Sequence, residues 1–182
     1  MNSNTNRLAY NETEVYWKNY QRFFPEELRI NDNNLPAEEW WVWNDYHIHL
    51  DRMTALDSKI KVVLLHGAGG NGRLLAPYAL MLQANGYDVV SPDLPPYGLS
   101  YTESLKSMEY HDWIEIISEF IKQEFNRDGK PIVLLGASIG GMLAYHVASM
   151  SKQVKGLIVT TFVDTSNQKV RDQIAPNKLI SR

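Results

Sequence analysis

The sequence predicts an α/β protein: a mostly parallel sheet with antiparallel N-terminal strands and helices on both faces. Three observations predict it. From Lys61 to Val163, apolar β-rich runs alternate with segments of helical length. That β-α-β-α-β-α-β rhythm is the pattern of a parallel sheet covered on both sides. Ahead of it, Glu39 to Asn44 and Tyr46 to Asp51 read as two strands joined tightly around Asn44-Asp45, which makes an antiparallel start. The third observation is the stretch PIVLLGASIGGMLAYHVASM, Pro131 to Met150, where an apolar run breaks at Gly136-Ala137-Ser138-Ile139-Gly140 and resumes at helical length.

Composition narrows the function classes. A chain of 182 residues with 44% hydrophobic and 21% charged residues suits one globular domain with a proper core and a small appendage. A net charge of −3 gives no electrostatic case for nucleic acid or an anionic membrane. The absence of cysteine removes disulfides, thiol nucleophiles and cysteine metal sites. The opening MNSNTNRLAYNETE lacks the apolar region of a secretory signal, and no run approaches the ~18 apolar residues of a membrane span. The default reading is a cytoplasmic protein.

The elements follow in order. Asn11-Glu12-Thr13-Glu14 resembles a capping box, and Tyr16, Tyr20, Phe23 and Phe24 follow at helical spacing until Pro25, which predicts an accessory helix packed on the domain. In the second hairpin strand Tyr46, Ile48 and Leu50 alternate with His47, His49 and Asp51, so one face is apolar and the other reads as facing solvent. Lys61 to His66 is a buried strand before a glycine-rich loop. A helix from about Pro77 to Asn85 stops at Gly86, and Tyr87 to Ser91 is the next strand. Tyr110, Trp113, Ile117, Ile121 and Phe125 mark an amphipathic helix ending near Asn126 to Gly129, and Val154 to Val163 is a last buried strand. The expected organisation is an extension over 1–35, a core over 36–164, and the start of a cap or a truncated tail over 165–182.

Ser138 stands at the apex of a strand-turn-helix. Small flanking residues suit a strained turn there, and a helix N-terminus directs backbone N–H groups and a favourable dipole at negative charge forming beside the hydroxyl. The reading is a serine nucleophile.

Together with this turn, His66-Gly67-Ala68-Gly69-Gly70-Asn71-Gly72 resembles the His-Gly oxyanion loop of the α/β-hydrolase superfamily. Ser91 to Ser100 is similar to that family's D-x-x-G-x-G-x-S loop, with Pro96 in place of its first glycine. The HGAGG segment is most similar to the monoglyceride lipase and serine aminopeptidase-like branch, and the resemblance spans roughly Glu39 to Val163. It implies an α/β-hydrolase fold, oxyanion donors at the Ala68 and Ile139 N–H groups, and a loop-fixing role for Asp93. It also implies a catalytic acid and a histidine after Ser138. Asp164 follows a strand at a position some members use for the acid. The only later histidine is His146, on the nucleophile's own helix and two turns away. The chain therefore resembles the N-terminal part of the family, without its last strands and cap.

Other readings of these motifs are weaker. Gly67-x-Gly69-x-x-Gly72 with Asp93 about 20 residues on fits a dinucleotide fingerprint. A helix starting near Gly69 would carry Pro77 in its second turn at a cost of ~3 kcal/mol, whereas a later start places it favourably. Asp45-x-His47-x-His49-x-Asp51 could suggest a metal cluster, but only His66, His111 and His146 remain to complete one. No cofactor and no metal are expected. His146 reads as packed and His111 as surface. Two functions stay open: a serine hydrolase of carboxylic esters, inactive as this chain without a histidine base, or a catalytically dead remnant or binding module of the same fold. The expected partners are a small acyl ester and, through the open edge at Val154 to Val163, another copy of the chain.

Overall fold

The computed structural model describes residues 8–12, 15–103, 108–162 and 168–169. Val163, Asp164 and the segment 170–182 lie outside them, as do Thr13, Glu14 and the Tyr16 side chain. The described strands are β1 (Ala37–Trp43), β2 (Tyr46–Met53), β3 (Lys61–Leu65), β4 (Asp88–Pro92), β5 (Tyr101–Thr102), β6 (Ile132–Ala137) and β7 (Val154–Thr160). The helices are α1 (Val15–Tyr20), α2 (Ala76–Ala84), α3 (Tyr110–Asp128) and α4 (Ile139–Met150). One sheet runs in the order β1-β2-β4-β3-β6-β7, with β5 paired to β2. β1, β2 and β4 pair antiparallel, and β4, β3, β6 and β7 parallel. This is the α/β-hydrolase fold, with a mixed, mostly parallel sheet.

Alternation along the central strands feeds two cores. Val63 and Leu65 of β3 point to the face where Ile116, Ile117, Phe120 and Ile121 of α3 meet Leu143, Ala144 and Val147 of α4. Val62 and Leu64 point to the other, with Ala76 and Ala79 of α2 and with Tyr10, Trp17 and Ile30 of the N-terminal segment. α3 begins in a capping box between Glu109 and Asp112 and ends where Gly129, at φ 71°, returns its N–H to Phe125 O at 2.7 Å. α2 follows a 3₁₀ turn, Gly72–Leu75, so Pro77 falls in its first turn, where no N–H is needed.

Three expectations need correction. The aromatic stripe does not pack as a long helix: α1 stops at Tyr20, Phe23 is 71% exposed, and the buried anchor is Trp17, one position off the stripe. The polar face of β2 is not solvated, because the N-terminal segment and the 3₁₀ turn cover it, and His49 and Asp51 are buried beneath them. The last strand is not buried: β7 forms the expected open edge among the described residues, and Leu157 and Ile158 are exposed there.

Near the amino ends of the parallel strands, a buried ionic cluster locks α3 to the sheet. Glu124 accepts from Arg52 Nη1 at 2.9 Å and Nη2 at 2.8 Å, while Lys61 Nζ lies 2.8 Å from Glu124 Oε2 and donates to its backbone O at 2.9 Å. Burial opposes ionisation here, but the two cations hold the Glu124 carboxyl below its ordinary range. Removing the carboxylate takes the buried counter-charge from both cations and leaves Arg52 with the half-buried Glu39 and Lys61 with Asp128 and the Glu124 carbonyl. Glu124→Ala is expected to cost about 3–5 kcal/mol in urea unfolding. A loss under about 1 kcal/mol would show that the cluster does not hold the helix.

Candidate active site

The β3–β6 register sets Leu65 opposite Gly136, so the segments leaving the carboxyl ends of both strands emerge side by side. One carries the glycine loop and the other the serine turn, which is where open α/β sheets place ligands. Ser138, between β6 and α4, is exposed and adopts φ 54°, ψ −121°. An L-residue held there stores roughly 1–3 kcal/mol of strain. The packing around it leaves no room for relaxation. A Cβ at Gly136 would lie 2.3 Å from Gly140 O, and one at Gly140 would lie 2.3 Å from Leu65 O and 2.4 Å from His66 O. Both positions must be glycine for the start of α4 to seat against β3 and β6.

The Ser138 backbone is held from both sides. Its N–H donates to Thr160 O at 3.1 Å and Thr161 Oγ1 at 3.0 Å, and its carbonyl accepts from Gly141 and Met142 N–H. Among the described residues no backbone acceptor takes the N–H of Ile139, the first residue of α4. Ala68 is exposed on the glycine loop, one residue after Gly67, where a Cβ would sit 3.3 Å from Ser138 Cβ and 3.9 Å from Oγ. The structure thus brings Ser138, Ile139 and the loop carrying Ala68 together at one end of the sheet.

Both ends of that loop are fastened to consecutive residues after β4. His66 Nδ1–H donates to Gly67 O at 2.8 Å, and Nε2 accepts the Leu94 N–H at 2.8 Å. A carbonyl must receive a proton and an amide must give one, so the ring is neutral and in one tautomer. Gly72 N–H donates to Asp93 Oδ1 at 2.6 Å. Asp93 Oδ2 accepts from Leu99 N–H and Tyr10 OH, both at 2.7 Å. Burial pushes Asp93 above the usual carboxylate range, against the pull of His49 and of those donors. Asp93 is completely enclosed and its oxygens are used within the protein, so it cannot bind a ribose. With α2 starting only at Ala76, the loop does not form a dinucleotide fingerprint.

The polar cluster beside Asp93 was not legible as such in the sequence. Arg73 donates to Asp51 in a bidentate pair at 2.6 and 2.8 Å and to Asn11 Oδ1 at 2.9 Å, with its guanidinium over the Tyr10 and Trp17 rings. Glu38 accepts from Tyr10 and Asn11 N–H and lies 2.7 Å from His49 Nε2. Burial opposes these donors, but they hold Glu38 down at about 2. Glu38, His49 and Asp51 offer ligand atoms within 4.8 Å of one another. Arg73 and the backbone N–H groups already occupy the carboxylates, so the set does not suit a cation. The missed signal was the covering segment: nothing local in β2 says that Tyr10, Trp17 and Arg73 will bury its polar face.

None of the five histidines serves Ser138. His66 is committed at both nitrogens, His49 is enclosed with Glu38, His47 lies beside Glu103, and His111 pairs with Glu115 on the surface. His146, half-buried, meets Tyr110 OH at 3.1 Å and lines a cleft of about 590 Å³ between α3 and α4. At ~1.5 Å per residue it stands about 12 Å along the helix from Ser138.

The sequence profile of the alpha/beta hydrolase family matches residues 62–180, and the chain belongs to that family. It is similar to the thermostable monoacylglycerol lipase of Bacillus sp. (strain H-257), 28% identical over 107 residues that cover 57% of this chain and 41% of that protein. It is also similar to the probable protein phosphatase methylesterase 1 of Caenorhabditis elegans, 33% identical over 107 residues that cover 57% of this chain and 29% of that protein. Among solved structures, the thioesterase domain from the curacin biosynthetic pathway has a TM-score of 0.64 at 26% identity, covering 79% of this chain and 52% of that one. A soluble variant of monoglyceride lipase from Saccharomyces cerevisiae has a TM-score of 0.65 at 18% identity, covering 87% and 54%, a likeness of fold alone. The matches thus span less than half of these curated relatives and about half of these solved chains. No described helix is long and apolar enough to cross a membrane.

Burial holds the His66 pKa down at about 4, although its bond to Gly67 O works the other way. The unfolded chain takes up a proton here below about pH 6.5, and the folded chain resists until about pH 4. Stability from this group is therefore complete above pH 6.5 and is lost on acidification at up to about 1.4 kcal/mol per pH unit. Imidazole NMR should show His66 neutral, protonated at Nδ1, at pH 5. A midpoint near 6.5 would contradict the clamp.

Proposed function

We propose that this chain carries the nucleophile and oxyanion half of a serine esterase acting on carboxylic esters. The observation that carries the reading is the strained serine at a helix N-terminus with the glycine loop seated against it. Ser138 Oγ attacks the acyl carbonyl carbon as the carbonyl π pair moves to oxygen, and a general base from outside the described residues takes the hydroxyl proton and hands it to the leaving alkoxide. The Ala68 and Ile139 N–H groups receive the resulting oxyanion. Collapse expels the alcohol and leaves an acyl-serine, which water then hydrolyses. Esters are favoured because two of the similar proteins are named as a monoacylglycerol lipase and a probable methylesterase. The alternative, a binding module or inactive remnant of the same fold, draws on the five histidines, none of which reaches Ser138.

The chemistry sets the test. Among the described residues no histidine reaches Ser138 to take its proton, and loss of a triad member removes ~10⁴-fold or more of the rate. The 182-residue protein should hydrolyse p-nitrophenyl butyrate no faster than its Ser138→Ala variant. Added imidazole supplies the absent base and should accelerate fluorophosphonate labelling at Ser138 in proportion to its concentration, with no labelling in Ser138→Ala. Labelling scattered over other serines, with or without imidazole, would favour the binding-module reading.

The second partner we propose is another copy of the chain. Leu157 and Ile158 of β7, with Tyr145 and Met150 of α4 and Phe162, leave apolar surface beside an unpaired strand edge among the described residues. The protein should run larger than a monomer in size-exclusion chromatography with light scattering, and Ile158→Lys should shift it toward the monomer. A monodisperse wild-type monomer at tens of micromolar would refute this.

A further inference from the structure

Residues 8–12 precede every described strand, yet they reach Asp93 and Arg73, which hold the far end of the loop that flanks the serine. Tyr10 OH is the third donor to Asp93, whose other oxygen takes the Gly72 N–H at the far end of the glycine loop. The next residue, Asn11, accepts from Arg73, which follows Gly72 directly. The Tyr10 ring packs edge-on against His49 at 5.0 Å and lies under the Arg73 guanidinium at 5.1 Å. Trp17 Nε1–H returns to Tyr10 O at 2.8 Å, tying α1 to the same point. Tyr10 and Asp93 are both buried, so water does not compete for this bond. The loop is thus clamped at one end by its own His66 and at the other through a residue 83 positions from Asp93.

We propose that the segment 8–12 is a strap that fixes the glycine loop through the relay Tyr10–Asp93–Gly72, which makes Tyr10 a positioning residue for the Ala68 oxyanion donor. Tyr10 touches no reacting atom. It acts by giving Asp93 Oδ2 a second donor beside the Leu99 N–H, which holds the carboxylate in the orientation that receives Gly72. The positioning role rests on the reading of Ser138 and Ala68 given above; the strap itself does not.

Tyr10→Phe removes one oxygen and keeps the ring packing. Two measurements on the 182-residue protein test it: amide hydrogen exchange of the loop 67–74 against α3, and imidazole-assisted fluorophosphonate labelling of Ser138. Loss of one hydrogen bond to a buried carboxylate should speed Gly72 exchange about tenfold, slow labelling about tenfold and leave α3 unchanged. Ile30→Val, in the same core but without a contact to Asp93, controls for general loosening and should leave both readouts within about twofold. Parallel acceleration of loop and α3, or an unchanged loop, would overturn the strap. A faster loop with unchanged labelling would overturn the positioning role. If wild-type Ser138 is not labelled at all, the esterase reading fails, and the exchange data alone decide the strap.

Discussion

The candidate site depends on one close backbone approach. The first turn of α4 lies so near the ends of β3 and β6 that neither Gly136 nor Gly140 has room for a Cβ. That contact fixes where the helix begins, hence the strained conformation of Ser138 and the direction of the Ile139 N–H. The same contact places the His66 carbonyl against Gly140, so the glycine loop must leave β3 beside the serine. Residues without side chains determine the position of the serine at the apex of the turn.

Two buried charge clusters flank the sheet and serve different elements. Glu124, Arg52 and Lys61 anchor α3 near the amino ends of the parallel strands. Arg73, Asp51, Glu38 and Asp93 lie toward the carboxyl ends of β3 and β4 and bind the N-terminal segment and the glycine loop to the hairpin. Buried ion pairs of this kind add little net stability over apolar packing, but they tolerate no unpaired member. Their effect is therefore on register: they penalise a shifted β2 or a displaced loop more than they reward the correct one.

Much of this was legible in the sequence because it rests on local rules. Gly136, Ser138 and Gly140 mark the turn, Pro77 dates the start of α2, and Gly86 and Gly129 end their helices. The burial of His49 and Asp51 was not legible, since alternation says which side chains share a face and not what will cover it. The burial of Trp17 is hidden for the same reason: it falls one position off an aromatic stripe at helical spacing, and its partner, Arg73, lies far along the chain. Nothing local to α3 marks Glu124 as buried, because its partners Arg52 and Lys61 arrive from two strands.

The amide of Ser138 is fastened by Thr160 and Thr161, at the end of β7, and not by its own helix. Thr161 is itself held at φ 50°, an unfavourable setting for a β-branched residue. The most constrained backbone in the site thus borrows its restraint from the strand at the sheet's edge, which has a paired neighbour on one side only among the described residues. Edge strands open locally far more often than central ones. Whenever β7 frays, the Ser138 amide loses both of its acceptors, and only the close approach at Gly136 and Gly140 and the bonds from Gly141 and Met142 to the Ser138 carbonyl then hold the turn. Whatever stabilises the outer side of β7 therefore tightens the amide side of this turn, without touching the serine itself.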